Sequence, residues 1–111
     1  MHDSQSHQLV FSSVPDRNSG KQIATILVKE QLAACVNLIP EILSTYQWDN
    51  GIQHDEECLL IIKTRADVYK DLQTRLQQLH PYELPEIIAL PICTGLPDYL
   101  QWINTCLDKT S

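Results

Sequence analysis

Apolar positions along this chain switch between a period of two and a period near 3.6, and each switch marks an element. Residues 9–14 (Leu9-Val10-Phe11-Ser12-Ser13-Val14) form a short β-prone run that stops at Pro15-Asp16. Asp16 is placed to cap a helix, its carboxylate accepting the unpaired N–H groups of the first turn. Ile23, Leu27 and Leu32 then recur on one face, predicting a helix over about residues 18–34. Residues 35–49 read as an unusually long extended segment. Val36 and Leu38 alternate with Asn37, Pro40 interrupts, and Ile42, Ser44, Tyr46 and Trp48 share one face.

Asp49-Asn50-Gly51 is a strong hairpin signal, because Asn and Gly both tolerate positive φ. The return strand runs from Ile52 to Thr64. Its start is the polar His54-Asp55-Glu56-Glu57, and its second half is apolar on both faces, as in a covered central strand. Alternation puts His54 and Glu56 on one face and Asp55 and Glu57 on the other, which predicts a solvated strand start rather than a converging cation site. Thr64-Arg65-Ala66-Asp67 has the spacing of a helix start, followed by an apolar stripe of Val68, Leu72, Leu76 and Leu79. That helix ends at His80-Pro81, since the residue before proline disfavours the α region. A fourth strand is predicted over residues 86–93. Pro97 then opens a last helix carrying Tyr99, Leu100, Ile103 and Leu107.

The order β-α-β-β-α-β plus a terminal helix predicts an α+β, ferredoxin-like fold with a long central hairpin. In that order the second and fourth strands are the sheet edges, and they are the strands holding Pro40 and Pro91, where a missing N–H does least harm. A hairpin arm of about 13–15 residues is roughly 45 Å long at 3.3 Å per residue, far beyond the usual strand. Its outer part, with Tyr46, Trp48 and Ile52, projects past the helices. An isolated two-stranded ribbon is marginal in water, so a second copy of the chain is expected to cover it.

With 111 residues, the chain fits one domain, set at residues 9–108 behind a disordered tail at 1–8. Hydrophobic residues make up 43% and charged residues 20%, which argues against general disorder. A net charge of −6 repels phosphate backbones and anionic lipid, so neither nucleic acid nor membrane is an expected partner. No apolar run approaches the roughly 20 residues that span a bilayer, and the polar start does not read as a signal peptide; a cytoplasmic location is expected. Cys35, Cys58, Cys93 and Cys106 show no C-x-x-C spacing and are read as reduced, partly buried thiols.

Several motifs in order resemble the CutA divalent-cation-tolerance family. They are Val14-Pro15-Asp16, the run from Leu32 to Pro40, Tyr46-Gln47-Trp48, Ile62-Lys63-Thr64, the run from His80-Pro81-Tyr82 to Ile88, and Gly95 through Asp98-Tyr99-Leu100-x-Trp102. The resemblance runs from about residue 9 to 107. It implies a ferredoxin-like subunit in a homotrimer, strands paired between neighbours, and a non-enzymatic role linked to copper and other divalent cations. It also implies architectural similarity to the trimeric PII signalling proteins. The alternative it carries is therefore a regulator or scaffold that binds a small ligand or partner protein at clefts between subunits.

In copper-binding members the ligands are a cysteine near the end of the first strand and two consecutive histidines before Pro-Tyr. Those positions read Ser12, Leu79 and His80 in this chain. His80 is thus the one metal-ligand candidate of the set, for Cu²⁺ or another divalent cation, with helix capping as its structural alternative. Asp16, Lys63, Tyr82, Glu83 and Glu86 are cleft candidates, provided the linker after the second long helix crosses near the end of the first strand. Tyr46, Trp48 and Trp102 are expected at the interface, where large amphipathic rings supply area. No nucleophile-base pair, phosphate loop or dinucleotide fingerprint appears in the sequence, so no catalytic residue and no required cofactor is assigned.

Overall fold

The computed structural model describes residues 6–109. Strand β1 (His7–Val14) leads to helix α1 (Arg17–Lys29), then to β2 (Cys35–Trp48) and β3 (Gly51–Arg65). Helix α2 (Tyr69–Leu79), strand β4 (Ile88–Pro91) and helix α3 (Pro97–Leu107) complete the chain. The strands form one antiparallel sheet in the order β2-β3-β1-β4. Both proline-bearing strands lie at its edges. Pro40 also sits in a register break between Ile39 and Ile42, beside Glu41 at φ 59°. A residue without an N–H disrupts least at such a bulge.

Alternation along the two central strands sends Val10 and Val14 of β1 and Cys58, Leu60 and Ile62 of β3 to one face. Helix α1 sets Ile23 and Leu27 on that face, and α2 sets Leu72 and Leu76, closing a dry core. Each such aliphatic side chain contributes roughly 1.5–3 kcal/mol relative to exposure. Gly20 lets α1 approach closely: a Cβ there would lie 2.7 Å from Leu38 Cδ1 and 3.2 Å from Val14 Cγ2. A smaller cluster of Ala34, Ile103 and Leu107 seats α3. Arg65, almost fully buried, ties the region together. Its guanidinium donates to Asp67 at 2.6 Å and to Asn104 at 3.2 Å, and pairs with Asp108 at 2.9 Å.

Most of the opposite face carries no helix; α3 reaches only its end, where His7 and Lys63 meet Asn104 and Tyr99. Leu9, Phe11, Leu59 and Ile61 are only half-buried on this face. Their paired neighbours Ile39, Ile88 and Leu90 are 43%, 52% and 46% exposed. Beyond the bulge, the outer halves of β2 and β3 continue as a two-stranded ribbon, stretching the molecule to 48 Å against 28 and 22 Å in the other directions. Trp48 faces Gly51 across the turn, and Asp49 takes the left-handed conformation at φ 50°.

Four expectations need correction. The first strand begins at His7, not Leu9, so residues 7 and 8 are not tail: Gln8 opposes Thr64, and the Ser6 carbonyl accepts from Ala66 N–H at 2.7 Å. The remainder of the proposed tail, residues 1–5, lies outside the described residues. Helix α1 ends at Lys29, not Ala34. Gln31 turns to φ 59°, and the Leu32 and Ala33 N–H groups both donate to the Leu27 carbonyl, so Leu32 packs from a helix-closing turn. The Thr64 motif does not start a helix, because β3 runs through it. Thr64 Oγ1 donates instead to the Leu32 carbonyl at 2.8 Å, and α2 begins at Tyr69 without a side-chain cap. Finally, β4 covers only Ile88–Pro91, the residues that reach β1.

Candidate functional site

Where the ribbon leaves the sheet, it faces the linker between α2 and β4 across a cleft of about 920 Å³. Hairpin register explains the ribbon wall. With Trp48 opposite Gly51, Tyr46 falls opposite Gln53 and Ser44 opposite Asp55, so Ser44, Tyr46, Trp48, Asp55 and Glu57 share one face. That face is continuous with the helix-free side of the sheet, from which Ser13 contributes. Pro81, Tyr82, Glu83, Leu84 and Glu86 form the opposing wall.

His80 fixes that wall. It closes α2, its own N–H bonding the Leu76 carbonyl at 2.9 Å, and its ring then crosses to β1. Nε2 lies 2.8 Å from the Ser13 carbonyl, which only accepts, so Nε2 carries the proton. Nδ1 accepts the Tyr82 N–H at 3.1 Å. The ring is therefore neutral with both nitrogens occupied, and burial lowers its pKa against the opposing pull of the Ser13 carbonyl and Glu57. In this arrangement neither nitrogen offers a lone pair to a metal.

Tyr82 packs on the His80 ring at 4.9 Å between centroids and donates its hydroxyl to Glu57 Oε2 at 2.6 Å. Burial, then the bond to Glu57, raises the Tyr82 pKa well above the ordinary phenol value. A second pair lies alongside. The Tyr46 hydroxyl donates to Asp55, and that bond raises the Tyr46 pKa. Both phenols thus remain protonated at neutral pH, with their hydrogens directed at carboxylates. Four carboxylates line the cleft (Asp55, Glu57, Glu83 and Glu86), and no Lys, Arg or His does.

The linker does cross the end of the first strand, at Ser13, and Tyr82, Glu83 and Glu86 lie together along it. The rest of that constellation is elsewhere. Asp16 caps α1 by accepting from Ser19 N–H at 2.7 Å. Lys63 lies toward the other end of β3, 5.5 Å above the Tyr99 ring and 3.3 Å from its hydroxyl. Trp102 stacks on Tyr99 at 5.4 Å, on α3, whereas Tyr46 and Trp48 meet edge to face on the ribbon at 6.5 Å. Ser12 is fully buried with Oγ lacking a hydrogen-bond partner, and Leu79 packs against the core. Sequence reading treated Asp55 and Glu57 as a solvated strand start. Glu57 is in fact only 8% exposed; counting cross-strand pairs outward from Asn50-Gly51 puts it on the face of Ser44 and Tyr46, whereas its bond to Tyr82 is tertiary and has no local signal.

Oxygen donors of this kind suit hard divalent cations better than Cu²⁺, which favours imidazole and thiolate. Among the described residues, no three His, Cys, Asp or Glu side chains group as a metal centre within one chain. The family model for the CutA1 divalent ion tolerance protein matches residues 8–106. This chain belongs to the CutA family.

CutA relatives agree in both sequence and fold. Protein CutA, chloroplastic, of Arabidopsis thaliana is 46% identical over 86% of this chain, which spans 53% of that relative's length. The divalent-cation tolerance protein CutA of Thermus thermophilus is 43% identical, over 87% of this chain and 94% of the relative. The crystal structure of CutA from Xylella fastidiosa superposes with a TM-score of 0.91 at 48% identity, over 93% of this chain and 99% of that one. Relative to the plant protein, then, the chain corresponds to about half the length. Among the described residues, no helix is long and apolar enough to cross a membrane.

Proposed function

We propose that this CutA chain is a non-enzymatic divalent-cation tolerance protein that works in the cytoplasm as a trimer of ferredoxin-like subunits. The observation that carries the cation reading is the lining of the ribbon cleft, four carboxylates with no basic side chain. Such a lining attracts cations and repels the anionic ligand that a PII-like role would need. Because three ligands do not converge among the described residues of one chain, the proposal has a neighbouring copy complete the coordination. Hard or borderline ions such as Mn²⁺ or Zn²⁺ fit the donors better than Cu²⁺. His80 acts through Tyr82, as a strut that holds the cleft wall.

Assembly rests on the helix-free sheet face. Its contiguous apolar side chains and the ribbon beside them need a cover, and a second copy of the same strands is the self-complementary one. Calorimetric titration of metal-free protein with Mn²⁺, Zn²⁺ and Cu²⁺ tests the cation reading. Saturable binding that weakens in Glu57→Gln is expected; no binding below about 100 μM for any of the three sinks it. Light scattering tests the assembly and is expected to give three times the 12.7 kDa chain mass.

A further inference from the structure

The polar bonds that seat α3 run in one direction. His7 Nε2 lies 2.9 Å from Asn104 Oδ1, which also accepts from Arg65 Nη1 at 3.2 Å. Asp108, the residue that closes the helix, pairs with Arg65 Nη2 at 2.9 Å. Gln31 Nε2 donates to the Cys106 and Asp108 carbonyls, and Lys63 Nζ donates to the Tyr99 hydroxyl at 3.3 Å. In each of these bonds the body of the chain donates and the helix accepts. Composition follows the same division, since residues 97–108 hold two aspartates and no lysine or arginine.

We infer that α3 is a strap, which lifts from the sheet as one unit while the sheet, α1 and α2 stay folded. Its apolar seat is small and separate. Ile103 and Leu107 close on Ala34, whereas the main core contains no residue of α3. The connection allows the movement: residues 92–96 are neither helix nor strand, Cys93 to Leu96 are exposed, and α3 starts without a side-chain cap. Arg65 is prepared for both states. Its bidentate pair with Asp67, at 2.6 and 3.0 Å, comes from its own turn and stays when Asn104 and Asp108 leave, so the guanidinium is never left unpaired. A unit held by few buried side chains and by partly exposed polar bonds opens at less than the cost of global unfolding. Opening bares a donor-lined end of His7, Gln31, Lys63 and Arg65 in a chain whose net charge is −6.

Hydrogen exchange followed by mass spectrometry, on the full chain in its natural assembly, tests the strap. Backbone amides of residues 100–107 are expected to exchange together, about tenfold faster or more than those of β1 and β3, and with a weaker dependence on added denaturant. Asn104→Ala and Asp108→Asn remove acceptors from the strap alone. Each should speed exchange in α3 about tenfold and leave β1 and β3 unchanged, with the circular dichroism of the natural chain retained. If a variant misfolds, the natural chain still decides. Amides of α3 that share the rate and denaturant dependence of β3 overturn the inference, as they would if a neighbouring copy held the helix down. A gradient of exchange running inward from Leu107 also overturns it, because that is fraying of a helix end and not a unit lifting. Variants that speed β1 and β3 as much as α3 do the same. None of these outcomes depends on the cation reading above.

Discussion

The two faces of β3 are made from alternate residues of one strand and have opposite fates. Cys58, Leu60 and Ile62 point toward α1 and α2 and are closed off within the chain. Leu59 and Ile61, with Glu57 and Asp55 further out, point to the face without helices. A run that is apolar on both faces reads in sequence as a fully covered strand. Here one cover is supplied by the chain itself, and the other, on the proposal above, by a neighbouring copy. Hydrophobic pattern reports that a surface must be buried, without reporting which molecule buries it.

Adjacent positions can break this contrast. Leu60→Ala should cost about 2–5 kcal/mol of folding stability, since a fully enclosed side chain leaves a cavity behind. Denaturant unfolding of the variant, with the slope m checked for constancy, measures it. Ile61→Glu should keep the native circular dichroism and lose assembly, light scattering falling to the 12.7 kDa chain mass. A variant at Ile61 that keeps its full assembled mass would mean that the helix-free face is not the interface.

A third prediction concerns the cleft wall. His80 is neutral in the fold, and its pKa lies below the ordinary 6.5. Its contribution is therefore fully present above pH 6.5 and is lost as pH falls from there toward the lowered native value. Protonating Nδ1 also sets a donor against the Tyr82 N–H. Stability measured from pH 7.5 down to 5 should fall more steeply for the natural chain than for His80→Gln; parallel curves would refute the assignment. The smallest effect is expected at the ribbon. Tyr46→Phe removes an exposed bond to Asp55, and its unfolding midpoint should match that of the unchanged protein.

Much of the fold was legible because it rests on local rules. Period-two and helical stripes placed every element in order, and Pro40 and Pro91 marked the edge strands. The misses share a cause. Helix α1 has neither Gly nor Asn at its end, and it is closed by Gln31, whose Nε2 reaches the Cys106 and Asp108 carbonyls at 3.3 and 3.4 Å, some 75 residues away along the chain. Thr64 likewise answers to Leu32 rather than to its own neighbours. Such bonds are tertiary, and a local motif cannot announce them. For the cleft, Tyr82, Glu83 and Glu86 were readable as a unit because they are consecutive or nearly so. Lys63 was not separable from them without the register of β3, and Glu57 was not joinable to them for the same reason.

The close seat of α1 on the sheet has an evolutionary side. Gly20 and Leu38 compete for the same space, and Leu38 Cδ1 occupies the position a Cβ at residue 20 would need. That methyl is the end of a flexible, half-buried side chain, so a Cβ at position 20 makes it turn away at modest cost. Shortening Leu38 should therefore ease a larger residue at 20, and Gly20→Ala should be better tolerated beside Leu38→Val than alone.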